Sequence, residues 1–335
     1  MKGAERMNLG TQPKRENSLT RPVRSEKRGL VTGKWTPFLF LSPHLIFFMI
    51  FLVIPTVYGI YLSLHDWDLL RPAKFVGLEN YFDIFFNKDS IDYVEFWNAF
   101  WNTIKFVVFS VPFLIIVPLV LALAINTKTW GSSFFRAIFY APSLLSVVTV
   151  VLIWVWILDT NAGLVNFYVS KFGVSNIPWL ADMPWAWVAL VAMTVWWTIG
   201  RNLILFLAGL QDISEELIEA AKIDGAGKLA RFWHIVLPGL RGPMLFALVM
   251  TTIESFNVFG QPAVATQGGP GTDTTTLIMY IRDAAFGSYR MGDAAAMAIV
   301  MGGFLVVISL IQFAMMNRDK WPKRKKAKRE GASWR

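Results

Sequence analysis

The chain has 335 residues, of which 55% are hydrophobic and 16% are charged, with a formal net charge of +9 and a mean hydropathy of +0.46. A soluble domain has about 25% charged residues, so the composition excludes an ordinary soluble protein and indicates an integral membrane protein. Cysteine is absent, which excludes disulfides, thiol catalysis and thiolate metal sites.

Six apolar stretches are long enough to cross a bilayer, whose hydrocarbon core of ~30 Å needs about 20 apolar residues per helix. They lie at residues 38–64, 104–125, 137–158, 185–209, 243–261 and 294–316. The first stretch is longer than a cleavable signal core of about 7–15 residues, and no small-residue cleavage site follows it. We therefore predict an all-α, polytopic membrane protein with six transmembrane helices.

Lysine and arginine are concentrated in alternate loops. Four segments hold 24 of these residues, namely 1–34, 126–136, 210–241 and the tail after 317. The intervening loops, 66–102, 159–184 and 262–293, together hold 6. Because positively charged loops stay on the cytoplasmic side, we expect both termini to be cytoplasmic.

These boundaries divide the chain into three parts. We expect a basic cytoplasmic tail at 1–35, a transmembrane domain at 36–316 and a second basic cytoplasmic tail at 317–335. The run KWPKRKKAKR at 320–329 is rich enough in charge to suggest a nucleic-acid patch. Beside a membrane span, it is better interpreted as a segment that fixes topology and contacts anionic lipid, so no nucleic-acid partner is expected.

Signatures of catalysis are missing. The fragment GAGK at 225–228 lacks the rest of a phosphate-binding loop, because Lys222 stands where a glycine is needed and Leu229 where Ser or Thr is needed. No serine-nucleophile motif is present, and the three histidines have no metal-ligand spacing. We predict that this chain is not an enzyme and has no catalytic residue, metal site or cofactor of its own.

The longest cytoplasmic loop, 212–240, carries charge and glycine that do not suit a membrane span. Asp212 and Glu215 have the spacing of a capping box, which predicts a helix from near Ile213. Gly225 then provides a helix stop.

A second short helix is predicted after this stop. It covers 228–235 and ends before Pro238, so the two helices form a hairpin at the bilayer surface. Ala220 and Ala221 give it a small-residue face that another protein can approach closely, and apolar contact is expected from Leu217, Ile218 and Phe232. We interpret the hairpin as a docking element.

The hairpin sequence is similar to a known family signature. EAA at 219–221, Gly225 and IVLP at 235–238 resemble the cytoplasmic loop of permease subunits in binding-protein-dependent ABC importers. The wider frame LAGLQDISEELIEAAKIDGAGKLARFWHIVLPGLRGP resembles the carbohydrate-uptake branch, which includes maltose-type and glycerol-phosphate-type permeases. Further similarity lies in SPHLIFFMIFLVIPTVYGIYLSL, FVGLENY, FWNAFWNTIKF, FYAPSLLSVVTVVLIW and TQGGPGTDTTTL, so that the resemblance covers about 36–316.

The resemblance implies the permease fold of a type I ABC importer, in the cell membrane of a prokaryote. Such a subunit forms a heterodimer with a second homologous permease. Two ATPase subunits, which carry the ATP and Mg²⁺, bind on the cytoplasmic side. An extracytoplasmic solute-binding protein delivers a sugar or oligosaccharide from the other side.

The resemblance also implies roles for particular residues. Coupling to the ATPase is assigned to Glu219, Ala220, Ala221, Asp224, Gly225, Phe232 and Pro238. Contact with the binding protein is assigned to the external turn with Gly268, Gly269, Pro270 and Thr272, together with the loop 66–102. For this turn, an ordinary connection between helices stays open as the alternative.

Polar side chains in spans four and five suggest a substrate path, because polar groups in lipid face a cavity or pair with one another. They are Thr194, Trp197, Thr198, Arg201, Thr251, Glu254, Ser255 and Asn257. By resemblance, all except Glu254 and Asn257 fall where the maltose-type permease holds its sugar. Trp197 and Arg201 differ from that permease, which indicates a different ligand. The alternative is that Arg201 and Glu254 simply form an intramembrane ion pair.

Three other functions are weighed against sugar import. A permease of the same family could carry glycerol phosphate or another polyol. A channel or an ion-coupled secondary transporter would show a filter-like loop or several buried acidic or histidine residues, whereas few ionisable residues lie within these spans. A membrane enzyme would need a nucleophile or a metal site.

Overall fold

The structure is a computed structural model that describes residues 36–126 and 131–317. The tail 1–35 and nearly all of the tail 317–335 lie outside the described residues. The helices are α1 Thr36–Phe48, α2 Ile54–Leu62, α3 Glu79–Phe85, α4 Ile91–Ile125, α5 Ser132–Tyr140, α6 Val147–Ile157, α7 Leu164–Ser170, α8 Trp185–Gln211, α9 Glu215–Ile223, α10 Lys228–Arg231, α11 Leu237–Gly239, α12 Arg241–Phe256, α13 Gly260–Ala265, α14 Leu277–Arg282 and α15 Met291–Asn317. Two short strands, β1 His65–Asp66 and β2 Lys74–Phe75, pair antiparallel with His65 opposite Phe75.

The chain divides into two compact units, and the first ends at Ile54. Its described part consists of α1 and a π-helical turn at Met49–Val53, where the N–H of Ile54 donates to the carbonyl of Met49. Large apolar side chains in this unit, such as Phe40 and Phe51, are exposed. This is the surface expected of a helix with apolar surroundings.

Five stretches of the described chain are long and apolar enough to cross a membrane, namely Phe38–Leu62, Ile91–Ile125, Trp185–Gln211, Arg241–Ala265 and Met291–Met315. A sixth arises if two helices bent by 100° at a short break, Ser132–Leu144 and Val147–Ile157, count as one span. The prediction of an all-α membrane protein is confirmed, and each of these stretches overlaps one of the six predicted positions.

The third span is not the straight helix that the apolar run 137–158 predicts. A 3₁₀ turn at Ala141–Leu144 follows α5, and Ser146 then caps α6 by accepting a hydrogen bond from the N–H of Thr149 at 3.2 Å. Pro142 has no N–H to donate, which favours a break at this point. A hydropathy average does not reveal such a break, because both halves of the span are apolar.

Gly200 of α8 lets the broken span approach closely. A Cβ at this position would lie 2.6 Å from the Cα of Tyr140, so no larger residue fits without movement. Gly260 of α13 has the same role beside Val147, whose Cγ2 would be 2.6 Å from an added Cβ. Gly200 and Gly260 therefore allow the broken span to pack closely against α8 and α13.

The second span begins 13 residues earlier than predicted, since α4 runs over 35 residues from Ile91 instead of from 104. At 1.5 Å per residue it is about 52 Å long, which exceeds a bilayer core of ~30 Å. Its first turns were assigned to a loop because they are polar and aromatic. They are nevertheless fixed by packing, since Phe96 and Phe100 are buried against Met297 of α15.

The second unit, from Pro55 onward, packs around α4 and α8. One group of buried side chains joins Leu119 and Ala122 of α4 to Leu203 and Phe206 of α8. A second group, with Phe106 and Met193, continues this contact. The helix α12 is tied to α15 by Gln312, whose Nε2 donates to the Thr252 hydroxyl at 2.8 Å.

Candidate functional site

A half-open cavity of about 520 Å³ lies within the second unit. It is bounded by side chains of α4, α6, α8, α12 and α13. All of the predicted substrate-path residues line it, namely Thr194, Trp197, Thr198, Arg201, Thr251, Glu254, Ser255 and Asn257. Helical spacing in the sequence groups the four residues of α8, and the structure brings the residues of span five to the same cavity.

Arg201 and Glu254 form an ion pair inside this cavity. The Nη1 atom of Arg201 donates to Oε1 of Glu254 at 2.9 Å, and each side chain keeps 48% of its surface exposed. The two alternatives drawn from the sequence are thus compatible, because the pair exists and also faces the open space. Each partner keeps further polar atoms that can reach a bound molecule.

The other polar residues are partly engaged within the chain. The Thr194 and Thr198 hydroxyls donate to carbonyls of their own helix at 2.7 and 2.8 Å. Trp197 Nε1 donates to the Leu145 carbonyl at 3.1 Å, across the break in the third span. The indole ring of Trp197 is therefore held in a fixed position at the cavity surface.

Asn202 and Gln261 also line the cavity, although they are not among the predicted substrate-path residues. Asn202 lies four residues after Thr198, so helical spacing could have revealed it. Gln261 lies beyond the end of α12, in a helix that the sequence does not separate from the fifth span. The apolar part of the lining includes Phe106, Phe246, Met250 and Phe259.

The predicted hairpin follows α8 directly and leads into α12. Its first helix, α9, ends in a Schellman motif, in which the N–H of Ala226 donates to the carbonyl of Ala221 at 2.9 Å and that of Gly225 to Lys222 at 3.1 Å. Gly225 has φ +79°, a left-handed conformation that side chains other than glycine and asparagine rarely adopt. A Cβ at Gly225 would meet no atom of this chain within 4 Å, so the constraint is conformational.

Two details of the hairpin prediction are wrong. Asp212 terminates α8 instead of capping the next helix, which begins at Glu215 after Ser214. The second helix does not end at 235, because a π-helical turn at Phe232–Val236 carries it on to Gly239. In this wide turn Leu237 donates to the Phe232 carbonyl, and Pro238 lies in the last turn of the helix.

The predicted coupling residues lie on the surface of this hairpin. Glu219, Ala220, Asp224, Gly225 and Pro238 are exposed, whereas Ala221 and Phe232 are half-buried. Large apolar side chains are exposed beside them, namely Leu217, Ile223, Leu229 and Trp233. An exposed apolar group of this kind, rimmed by charge, is typical of a protein-docking surface.

A second cavity lies at the base of the hairpin, where Glu219 and Lys222 of α9 face Arg136 of α5. The Nε atom of Arg136 is buried and has no hydrogen-bond partner among the described residues. The cavity thus carries charge of both signs at the foot of the third span.

The turn with Gly268, Gly269, Pro270 and Thr272 is fixed to α4. The Asn102 side chain donates to the carbonyls of Thr272 and Thr275 at 2.9 and 3.2 Å, and Asn98 donates to the Thr272 hydroxyl at 2.9 Å. Thr272 is exposed, Gly269 and Pro270 are half-buried, and Gly268 is buried with φ +88°. Of the predicted contact residues, Gly268 therefore shapes the turn, and Thr272 presents a side chain to the outside of this chain.

A charged cluster joins α4, α14 and α15. Arg290 pairs with Asp92 of α4 and with Asp293 of α15 at 2.8 Å, and the hydroxyl of Tyr280 donates to Asp92 at 3.1 Å. Burial and the charge of Asp92 raise the pKa of Tyr280 above its usual value. Burial lowers the pKa of Arg290, but hydrogen bonding and charge from Asp92 and Asp293 outweigh it, so the net shift is upward.

Within 36–126 and 131–317, no three His, Cys, Asp or Glu side chains are grouped as a metal site would require. His65 and His234 instead contact the backbone carbonyls of Tyr61 and Ala230 through Nδ1, at 2.7 and 2.9 Å. Contacts with the backbone one turn earlier therefore explain the positions of these two imidazole rings.

Comparisons with known proteins agree with this architecture. The probable ABC transporter permease protein YurN of Bacillus subtilis is 32% identical over 86% of this chain and 98% of its own length. The sulfoquinovosyl glycerol transport system permease protein SmoG of Agrobacterium fabrum is 34% identical, covering 82% of this chain and 87% of the relative. The sn-glycerol-3-phosphate transport system permease protein UgpA of Escherichia coli O157:H7 is 31% identical, covering 86% and 96%.

A solved structure has the same fold. One chain of a bacterial ABC transporter involved in the import of the acidic polysaccharide alginate matches with a TM-score of 0.72 and 25% identity, over 85% of this chain and 96% of that chain. Residues 115–318 match the family described as the binding-protein-dependent transport system inner membrane component. The chain belongs to this family of ABC importer permeases.

Proposed function

We propose that this chain is the transmembrane permease subunit of an ATP-driven, binding-protein-dependent ABC importer that brings a sugar or oligosaccharide into the cytoplasm. The observation that carries the proposal is the direct connection between the cavity and the hairpin. The cavity is lined by Arg201 of α8 and Glu254 of α12, and the hairpin with α9 and α10 is the segment that joins these two helices. A force on the hairpin therefore acts on both walls of the cavity.

Alternating access needs such a mechanical connection. When the ATPase subunits close on nucleotide, they displace the docked hairpin, and α8 and α12 move with it. A capped helix transmits displacement better than a flexible loop, and α9 is terminated sharply by the Schellman motif at Gly225. The cavity would then open alternately to the two sides of the membrane.

The partners follow from this mechanism. A second homologous permease completes the path as a heterodimer, two ATPase subunits dock on the hairpins, and a solute-binding protein delivers the sugar. ATP and Mg²⁺ belong to the ATPase subunits, and this chain supplies no cofactor. The description of its family as binding-protein-dependent supports the extracytoplasmic partner.

The proposed topology places the hairpin and both termini in the cytoplasm of a prokaryotic cell. The basic tails at 1–35 and 317–335 flank the permease domain at 36–316, and they fix this orientation through their positive charge. The turn with Thr272 then lies outside, where a binding protein can reach it.

Reconstitution into liposomes tests this function. Sugar uptake should require this chain, its partner permease, the ATPase subunits with ATP, and the binding protein, and it should stop when any one is omitted. Uptake driven by an ion gradient without the ATPase subunits would identify a secondary transporter instead. Turnover of ATP by this chain alone would contradict its assignment as a transport subunit.

A further inference from the structure

We infer that this chain's side of the path selects an uncharged carbohydrate and disfavours anionic substrates such as sugar phosphates, an inference that rests on the proposed function. Among the described residues that line the cavity, Arg201 and Glu254 are the charged ones. Their opposite charges cancel, so the lining carries no net charge.

The ion pair already engages Arg201, which is the cation that an anionic substrate would need. Arg201 already donates to Glu254 at 2.9 Å, and both groups lie within helices long and apolar enough to span the membrane. A phosphate or carboxylate could take the place of Glu254 only by leaving that carboxylate beside it without a cation. Two like charges in a partly dehydrated site repel each other, so the exchange is unfavourable.

A second cation near the cavity is also paired. The guanidinium of Arg282 lies 5.6 Å from the ring centroid of Phe259, which lines the cavity. Arg282 is 3.8 Å from Asp283, so an acidic group accompanies this cation as well. Neither arginine presents the unbalanced positive charge that typically binds phosphate.

The same lining suits a neutral sugar. A hydroxyl group both donates and accepts hydrogen bonds, and an ion pair offers N–H donors beside carboxylate acceptors. Asn257 adds amide groups, and the fixed ring of Trp197 offers a flat face for a pyranose. The cavity therefore offers polar groups that can bind a sugar and that together carry no net charge.

The first experiment identifies the natural ligand. The assembled transporter is purified with its own binding protein, the small molecule that the protein carries is released, and mass spectrometry gives its composition. We expect a carbohydrate without phosphate, sulfonate or carboxylate groups, which the wild-type complex imports with ATP. An anionic carbohydrate that is imported in this way would overturn the inference and leave the proposed function intact.

The second experiment uses charge-balanced variants and uptake of that same ligand. Arg201→Gln and Glu254→Gln each leave one unpaired charge, and we expect each to lower uptake at least tenfold. The double variant is neutral again, so its uptake should exceed that of either single variant at least fivefold. If the double variant imports no faster than Arg201→Gln, the loss comes from the missing guanidinium and not from an unpaired charge, and the inference would fail.

Co-purification of the partner permease and the ATPase subunits with each variant serves as the control for assembly. It should be unchanged in all three variants, because the pair lies in the cavity and not on the hairpin. Should the wild-type complex import no carbohydrate at all, the proposed function would be wrong and this inference would fall with it. That result differs from import of an anionic sugar, which contradicts the inference alone.

Discussion

Asn202 replaces a hydrogen bond that Pro118 removes from α4. The carbonyl of Leu114 would normally accept from the N–H four residues later, but that residue is Pro118, which has none. The Nδ2 atom of Asn202 donates to this carbonyl at 2.8 Å and to the Thr251 hydroxyl at 3.1 Å. The proline in one span is thus compensated by an amide in another, at the cavity wall.

We predict that Asn202→Leu destabilises the protein, since it leaves the Leu114 carbonyl without a partner at a cost of about 1–3 kcal/mol. The measurement is the thermal unfolding midpoint of the detergent-solubilised protein. In a Pro118→Ala background, the backbone regains an N–H that can donate to the Leu114 carbonyl, so the effect of the Asn202 substitution should be at least halved. An equal loss in both backgrounds would show that the Leu114 bond is not the cause.

Gly225 tests how the hairpin transmits force. Its φ of +79° costs about 1–2 kcal/mol in any L-residue with a side chain, and a β-branched residue tolerates it least. We expect Gly225→Val to assemble normally but to lower uptake per ATP hydrolysed severalfold. Gly225→Asn should retain more coupling, because asparagine adopts this conformation more easily.

Gly227 provides the matched control for this substitution. It lies in the same hairpin, has no left-handed backbone, and leaves open space for a Cβ. Gly227→Val should therefore keep wild-type coupling. Normal transport by Gly225→Val in an assembled complex would refute a conformational role for Gly225.

Local patterns in the sequence predict part of this structure, and contacts between distant residues determine the rest. Hydropathy located the spans, and helical spacing grouped Thr194 with Arg201, because both signals come from residues that are close together in the sequence. The break after Pro142 was missed because it divides one apolar run into two. The start of α4 at Ile91 has a local signal in Ser90, which caps the helix by accepting from the N–H of Asp92, but the apolar run begins only at 104, and the first turns are held by packing against α15. Similarly, the pairing of Asn202 with Leu114 joins residues 88 positions apart.

Thr272 allows a direct test of the proposed contact between this turn and the binding protein. The chain has no cysteine, so Thr272→Cys introduces a single thiol without any background change. We expect cross-linking to the binding protein that increases when sugar and trapped nucleotide are both present. Ala230→Cys, an exposed position on the hairpin, is the control and should not react with the binding protein.

The results of the two cysteine variants separate contact from topology. Cross-linking from Ala230→Cys but not from Thr272→Cys would reverse the proposed orientation. If neither variant cross-links in any nucleotide state, the turn is an ordinary connection between helices and the contact prediction is wrong.

Trp197 tests whether the cavity wall recognises the sugar or only supports the fold. Its ring lines the cavity, while its Nε1 donates to the Leu145 carbonyl at 3.1 Å. Trp197→Ala removes both the flat surface and the hydrogen bond, and we expect at least a tenfold loss of uptake. Trp197→Phe keeps an aromatic face but loses the bond to Leu145.

Comparison of these two variants separates the two roles of the indole, which are stacking on a sugar ring and hydrogen bonding to Leu145. If stacking on a sugar ring dominates, Trp197→Phe should import severalfold faster than Trp197→Ala at low substrate concentration, because substrate affinity is what the ring supplies. If the bond to Leu145 dominates, both variants should fail alike, and their unfolding midpoints should fall together. Stimulation of ATP hydrolysis by the binding protein should remain in both. Normal uptake by Trp197→Ala at every substrate concentration would mean that this residue is packing and that the sugar binds elsewhere.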